Sequence, residues 1–273
     1  MKIGVRITGA AVAPEKIAEA AGYGFHSCQV CNWDASQCTE ENAVRILEAC
    51  EKYDMSISTL WVGWSGPARW NFTEGPMTLG LYPGAYRHTR VRELKIGADF
   101  AKRLGVSQIA THAGFIPENP LDPGFEGMMD ALREVAEYCE QLGLKFLFET
   151  GQETPTALLR AFEVIGTQNL GLNLDTANVI LYGKANPVDV MKVMGKYVYD
   201  LHIKDGCWPT DGWHLGKEVQ VGQGDVDFPT IIRMLKELGY DGALTIEREI
   251  SGDQQTADII ETKKNLEKWI AEV

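Results

Sequence analysis

Glu149, Asp175, His202 and Glu247 each stand at or near the end of a short β-rich run, and together their side chains are a set that can hold a cation. Successive side chains of a strand point to opposite faces. In Lys145-Phe-Leu-Phe-Glu149 the two phenylalanines therefore take one face, and Leu147 and Glu149 the other. In Leu170-Gly-Leu-Asn-Leu-Asp175 the leucines separate from Asn173 and Asp175. In Tyr199-Asp-Leu-His-Ile-Lys204, Tyr199, Leu201 and Ile203 share the outer face and leave Asp200, His202 and Lys204 inside, while Leu244-Thr-Ile-Glu247 points Thr245 and Glu247 inward. Neighbouring strands lie roughly 4.8 Å apart, so the four groups can converge. Three carboxylates so close resist ionising unless a cation sits among them. The donor types suit a hard or borderline divalent ion with open positions: Mn²⁺, Mg²⁺, Co²⁺, Fe²⁺ or Zn²⁺. Cysteine is absent from the set, which argues against a closed structural zinc site. The competing reading is a rim of acids solvated separately or paired with Lys204 and Arg248.

The elements that must position these groups follow a strand-then-helix rhythm. Strand-like runs fall near 2–8, 25–30, 55–61, 107–112, 145–149, 170–175, 198–204 and 242–247. Amphipathic stretches fall near 14–21, 40–53, 88–104, 124–142, 155–165, 187–194, 228–238 and 255–272. Eight alternating units are the size of a single-domain (β/α)8 TIM barrel over residues 1–273. A doubly wound open sheet is the alternative, but the first strand is not followed by the glycine pattern of a dinucleotide fold. Two connections are long, 62–87 with Trp64 and Trp70, and 205–227 with Trp208, Trp213 and His214. Both follow strands and so belong to the C-terminal face of a barrel, where binding loops lie.

The net charge of −12 opposes general binding to nucleic acid or an anionic membrane. No apolar run is long enough to span a bilayer, and the start of the chain reads as a strand rather than a signal peptide, so a cytoplasmic protein is expected. The six cysteines are scattered and read as reduced, mostly buried thiols. A homo-oligomer is compatible with these features.

The runs Phe148-Glu149, Asn173-Leu-Asp175-Thr-Ala-Asn178, Leu201-His-Ile-Lys-Asp205, Val221-Gly-Gln-Gly-Asp225 and Thr245-Ile-Glu-Arg-Glu249, with Ala110-Thr-His-Ala-Gly114, resemble the xylose isomerase-like sugar phosphate isomerase/epimerase superfamily. The resemblance spans the chain. It implies one divalent metal ion on Glu149, Asp175, His202 and Glu247, with Glu149 and Glu247 as acid and base beside a small sugar or keto-sugar. The expected chemistry is proton abstraction next to a carbonyl. Ketose 3-epimerases of the superfamily carry a histidine where this chain has Asn178. A lyase or dehydratase using the same metal site is the alternative, and an enzyme like endonuclease IV a more distant one.

Candidate substrate contacts are His112, Lys204, Asn178, Trp61 and His214. Lys204 either clamps a substrate oxygen or balances the acids, and Trp61 and Trp64 either form an apolar wall or anchor a loop. Trp208 is a weaker candidate in the seventh loop. Arg6 faces inward and neutralises acids; the amides of Gly222-Gln-Gly224 are of a kind that binds phosphate, but no basic cluster adjoins them and an unphosphorylated substrate is the expectation.

Overall fold

The computed structural model describes residues 1–273. Eight parallel strands close on themselves: β1 (Lys2–Thr8), β2 (Ser27–Asn32), β3 (Ser56–Val62), β4 (Gln108–Thr111), β5 (Lys145–Glu149), β6 (Leu170–Asp175), β7 (Val198–Ile203) and β10 (Ala243–Ile246). The short strands β8 (Asp205–Cys207) and β9 (Lys217–Val219) form an antiparallel hairpin above the barrel, within the 205–227 connection. Eight outer helices follow the barrel strands in turn, and the chain is a (β/α)8 TIM barrel.

Local chemistry sets many helix ends. Thr39 accepts the Asn42 N–H at the start of Glu40–Tyr53, and Thr154 accepts the Ala157 N–H at the start of Pro155–Ile165. Gly105, Gly143 and Gly239 sit at φ near +70° (69°, 73° and 71°) just past the ends of helices, a conformation that only glycine adopts without cost.

The outward strand faces and the inner helix faces make one large core, in which Phe146, Phe148, Leu172, Leu174, Leu201 and Ile203 are buried. The barrel interior is different in kind. Cys31, Trp61, Ala110 and Leu147 form a small apolar layer, and Gln29, Thr59, Asn173, Asp200 and Thr245 a fully buried polar one.

One inward–outward assignment is corrected. Leu172 pairs with Val198 but Asn173 pairs with Asp200, so Tyr199 is an extra residue on β7. This bulge turns the Tyr199 ring into the barrel, against Leu147 and over Gly171, where a Cβ would collide with it. Tyr199 therefore does not join Leu201 and Ile203 on the outer face.

The 62–87 connection contains a helical turn, Gly75–Thr78, and is held from below by Arg90. The buried Arg90 guanidinium donates to the carbonyls of Ser65, Pro67, Thr78 and Gly80 at 2.6–3.1 Å, and stacks 4.0 Å from the Trp64 ring.

Candidate active site

Glu149, Asp175, His202 and Glu247 are buried at the C-terminal ends of their strands, with ligand-type atoms all within 4.8 Å of one another. His202 Nδ1 lies 3.1 Å from Glu149 Oε1, 3.2 Å from Glu247 Oε2 and 3.8 Å from Asp175 Oδ2. Asp175 Oδ1 is tied back by the Ala177 and Asn178 amides at 2.9 and 2.7 Å. Its other oxygen, Oδ2, is buried without a hydrogen bond. Glu149 is held by several donors. The Trp61 indole N–H donates to Oε2, while His112 Nε2 stands 3.3 Å and Asn178 Nδ2 3.4 Å from Oε1. The His202 ring is fixed from below, with Nε2 2.5 Å from Gln29 Oε1.

Charge balance explains the protonation states. Burial alone would raise the Glu149 carboxyl, but His112 and His202 beside it hold it below the usual carboxylate range. Burial opposes ionisation of Glu247 too, and is outweighed by Lys204, His202 and Arg6. Asp175 has less cationic help, and burial leaves it at about 6. His202 is pushed well above the ordinary imidazole value: burial works against this, but Glu247 and Glu149 prevail.

Arg6 meets Glu247 at 2.9 Å. The buried Lys204 lies 2.5 Å from Glu249, 3.3 Å from Asn178 Oδ1, 3.5 Å from Glu247 and 3.8 Å from Asp175. Arg248 turns away to Glu218 and Asp258, at 2.7 and 2.8 Å. Two cations thus approach the cluster, and a donor set of three carboxylates and an imidazole still contains a buried carboxylate oxygen with no hydrogen bond. These residues fit a divalent ion.

A cavity of about 230 Å³ opens above the cluster. Trp61, His112, Asn178 and Lys204 line it beside Glu149 and Glu247. Trp33 and Trp70 complete an aromatic side, with Trp33 4.8 Å from the Trp61 ring and Trp70 4.9 Å from His112. Neither was singled out as a contact from sequence, because nothing local distinguishes them from other loop tryptophans. Trp64 packs behind Trp33 at 5.5 Å and serves the loop.

The structure leaves His214 apart from this cavity. It is 83% exposed and pairs with Asp211 at 3.1 Å, beside the exposed Trp213. Trp208 also lies outside the lining. The Gly222-Gln-Gly224 amides are already engaged: Gly222 and Gly224 donate to Asp205 Oδ2 at 2.8 and 2.9 Å, and Val226 to Oδ1 at 3.2 Å. A carboxylate of the chain itself occupies these amides. A surface groove of about 1080 Å³ around Met1, His26 and Ile270 lies at the opposite end of the barrel and holds none of these residues.

Similarity to known proteins agrees with this architecture. A xylose isomerase domain protein from Planctomyces limnophilus superposes with a TM-score of 0.92 at 31% identity, over 100% of this chain and 99% of the other. A D-tagatose 3-epimerase-like protein shares the fold, with a TM-score of 0.77 at 20% identity over 100% and 98% of the two chains. Inosose dehydratase of Geobacillus kaustophilus is 27% identical over 146 residues, 47% of this chain and 46% of that enzyme. The matches to curated relatives span about half to two thirds of those proteins' lengths. The family model described as xylose isomerase-like TIM barrel matches residues 17–271, and the chain belongs to that family.

Proposed function

We propose that this protein is a divalent-metal-dependent isomerase or epimerase that moves a proton next to the carbonyl of a small sugar or keto-sugar. The observation that carries the reading is the pair Glu149 and Glu247, both lining one sugar-sized cavity and both belonging to the four-residue cluster. A divalent ion on Glu149, Asp175, His202 and Glu247 supplies, when bound, Lewis-acid stabilisation of the oxygen that gains negative charge. Glu149 and Glu247 are held as carboxylates, the form that takes a carbon-bound proton. Return of the proton by the second glutamate inverts the carbon, whereas return to the neighbouring carbon, with the hydroxyl proton passing to the former carbonyl oxygen, shifts the carbonyl. Lys204 and Asn178 face the cavity with donors suited to substrate hydroxyl and carbonyl oxygens, His112 lies beside Glu149, and the tryptophans offer apolar faces to the sugar ring. The engaged amides around Asp205 favour a free sugar over a phosphorylated one.

The likeness to an inosose dehydratase favours a second reading, in which the same proton abstraction is followed by loss of water. Incubation with ketoses, 3-keto-glycosides and inososes in D₂O, followed by NMR and product mass, separates the two. Deuterium beside the carbonyl with an intact skeleton is the expected result, and loss of water marks the dehydratase. Cleavage of an abasic oligonucleotide, with neither exchange nor stereochemical change in any sugar, would overturn both.

A further inference from the structure

The barrel interior below the cluster contains a directed chain of hydrogen bonds. Asp200, fully buried, accepts the Ser58 and Thr59 hydroxyls on Oδ2 at 2.7 and 2.5 Å, and the Leu201 amide on Oδ1 at 2.8 Å. The same Oδ2 accepts Gln29 Nε2 at 3.2 Å, and that nitrogen also donates to Asn173 Oδ1 at 3.1 Å. A carboxylate surrounded by donors only accepts, so the Gln29 amide must turn its NH₂ toward Asp200. Its oxygen is then aimed upward, 2.5 Å from His202 Nε2. An amide oxygen cannot donate, so Nε2 must carry the proton, and the lone pair of a neutral His202 falls on Nδ1, the nitrogen that faces Glu149, Glu247 and Asp175.

We infer that Gln29, itself oriented by Asp200, is a positioning residue that selects the His202 tautomer able to bind a metal through Nδ1. This inference rests on the reading of the four-residue cluster as a metal site. Gln29 does not line the cavity and touches no substrate; it acts through His202. Partners of this kind, which bond the far nitrogen of a ligating histidine, orient the ring and raise its basicity. Leucine at position 29 would fill similar space and leave Nε2 without an acceptor. The polarity can also be inverted: a carboxylate at position 29 still accepts from His202, provided that position 200 becomes the donor.

The test uses Zn²⁺, a diamagnetic probe, with the full chain. Its affinity is measured by competition with a chromophoric chelator, and the His202 ring nitrogens are observed by ¹⁵N NMR in the loaded protein. In the unaltered chain, Nε2 is expected to carry the proton and Nδ1 to show the metal-bound shift. Gln29→Leu is expected to weaken Zn²⁺ binding by about 10- to 100-fold. Asp200→Asn combined with Gln29→Glu is expected to regain most of that loss, and Gln29→Glu alone is not, because it sets two carboxylates against each other. A residue that merely packs the barrel would lower Tm while leaving the Zn²⁺ affinity of the folded protein unchanged. If Gln29→Leu folds and binds Zn²⁺ as tightly as the unaltered chain, the role of Gln29 is overturned and the metal reading stands. If Gln29→Leu does not fold, the combined variant decides: affinity no better than that of Gln29→Glu alone overturns the inference. If the unaltered chain binds no Zn²⁺, Mn²⁺ or Mg²⁺, the metal reading itself fails and the inference with it.

Discussion

The Lys204 ammonium lies 2.5 Å from Glu249 Oε2, closer than to Glu247 at 3.5 Å or Asp175 at 3.8 Å. Glu249 is half exposed whereas Lys204 is buried, so the pair ties a buried cation to the rim of the cavity. Burial would lower the Lys204 pKa, but Glu247, Asp175 and Glu249 raise it well above the ordinary lysine value, and it stays charged. A charged Lys204 competes with an incoming metal for Asp175 and Glu247. Lys204→Met is therefore expected to tighten Mn²⁺ binding by about tenfold or more while lowering turnover. Isothermal titration beside steady-state kinetics checks this; weaker binding would show that Lys204 supports the ligands instead of competing with them.

Metal dependence is expected to be complete. EDTA should abolish turnover, and Mn²⁺, Co²⁺ or Mg²⁺ should restore it. Asp175→Asn removes a ligand charge and is expected to act mainly on metal affinity. Glu247→Gln keeps an oxygen donor but cannot carry a proton, so with metal saturating it is expected to lose about 10²-fold or more in kcat. Wild-type turnover by metal-saturated Glu247→Gln would reduce Glu247 to a ligand.

Arg90 does not line the cavity, yet its four backbone acceptors lie in the 62–87 connection that carries Trp64 and Trp70. Arg90→Met leaves those carbonyls without their shared donor, at about 1–3 kcal/mol for each that stays buried and unpaired. The expected outcome is faster hydrogen exchange in residues 65–80, a raised KM and a smaller change in kcat. Unchanged exchange there would mean that the loop is held without Arg90.

Glu153 gives a pH signature of stability. It is fully buried, neither carboxyl oxygen has a hydrogen-bond partner, and burial pushes its pKa to about 7. The folded chain then keeps a proton that the unfolded chain releases near the ordinary glutamate value of about 4.3. Its contribution to stability is full below that value and is lost as pH rises toward 7. Glu153→Gln cannot titrate, so its stability relative to wild type should improve by up to about 3 kcal/mol between about pH 5 and about pH 8. Denaturant melts at the two pH values measure this, and a constant difference would show that Glu153 titrates normally.

Much of the frame was legible in the chain. The runs 145–149 and 170–175 became strands with those limits, and 40–53, 155–165 and 187–194 became helices with those limits. Alternation and capping are local, and these segments carry both clearly. Alternation failed at Tyr199, because an inserted residue shifts the phase without changing the composition of the run. Gln29 and His202 are 173 positions apart, so no spacing rule connects them. The run Gly222-Gln-Gly224 signals backbone amides able to hold an anion. It could not reveal that the anion is Asp205, 17 residues earlier in the chain.

The bulge at Tyr199 works as a joint between two registers. Below it, Val198 continues the phase set by Leu172; above it, Asp200 and His202 follow the phase set by Asn173 and Asp175. Because one residue is looped out, pairing above the joint does not depend on what occupies it. The Tyr199 ring can plug the barrel floor beneath Leu147, and the Lys145 ammonium can sit 3.9 Å from its centre, without altering the direction in which His202 points. The barrel floor thereby takes its side-chain phase from one register and the rim that bears His202 from another, a separation that a strand of unbroken ladder would deny.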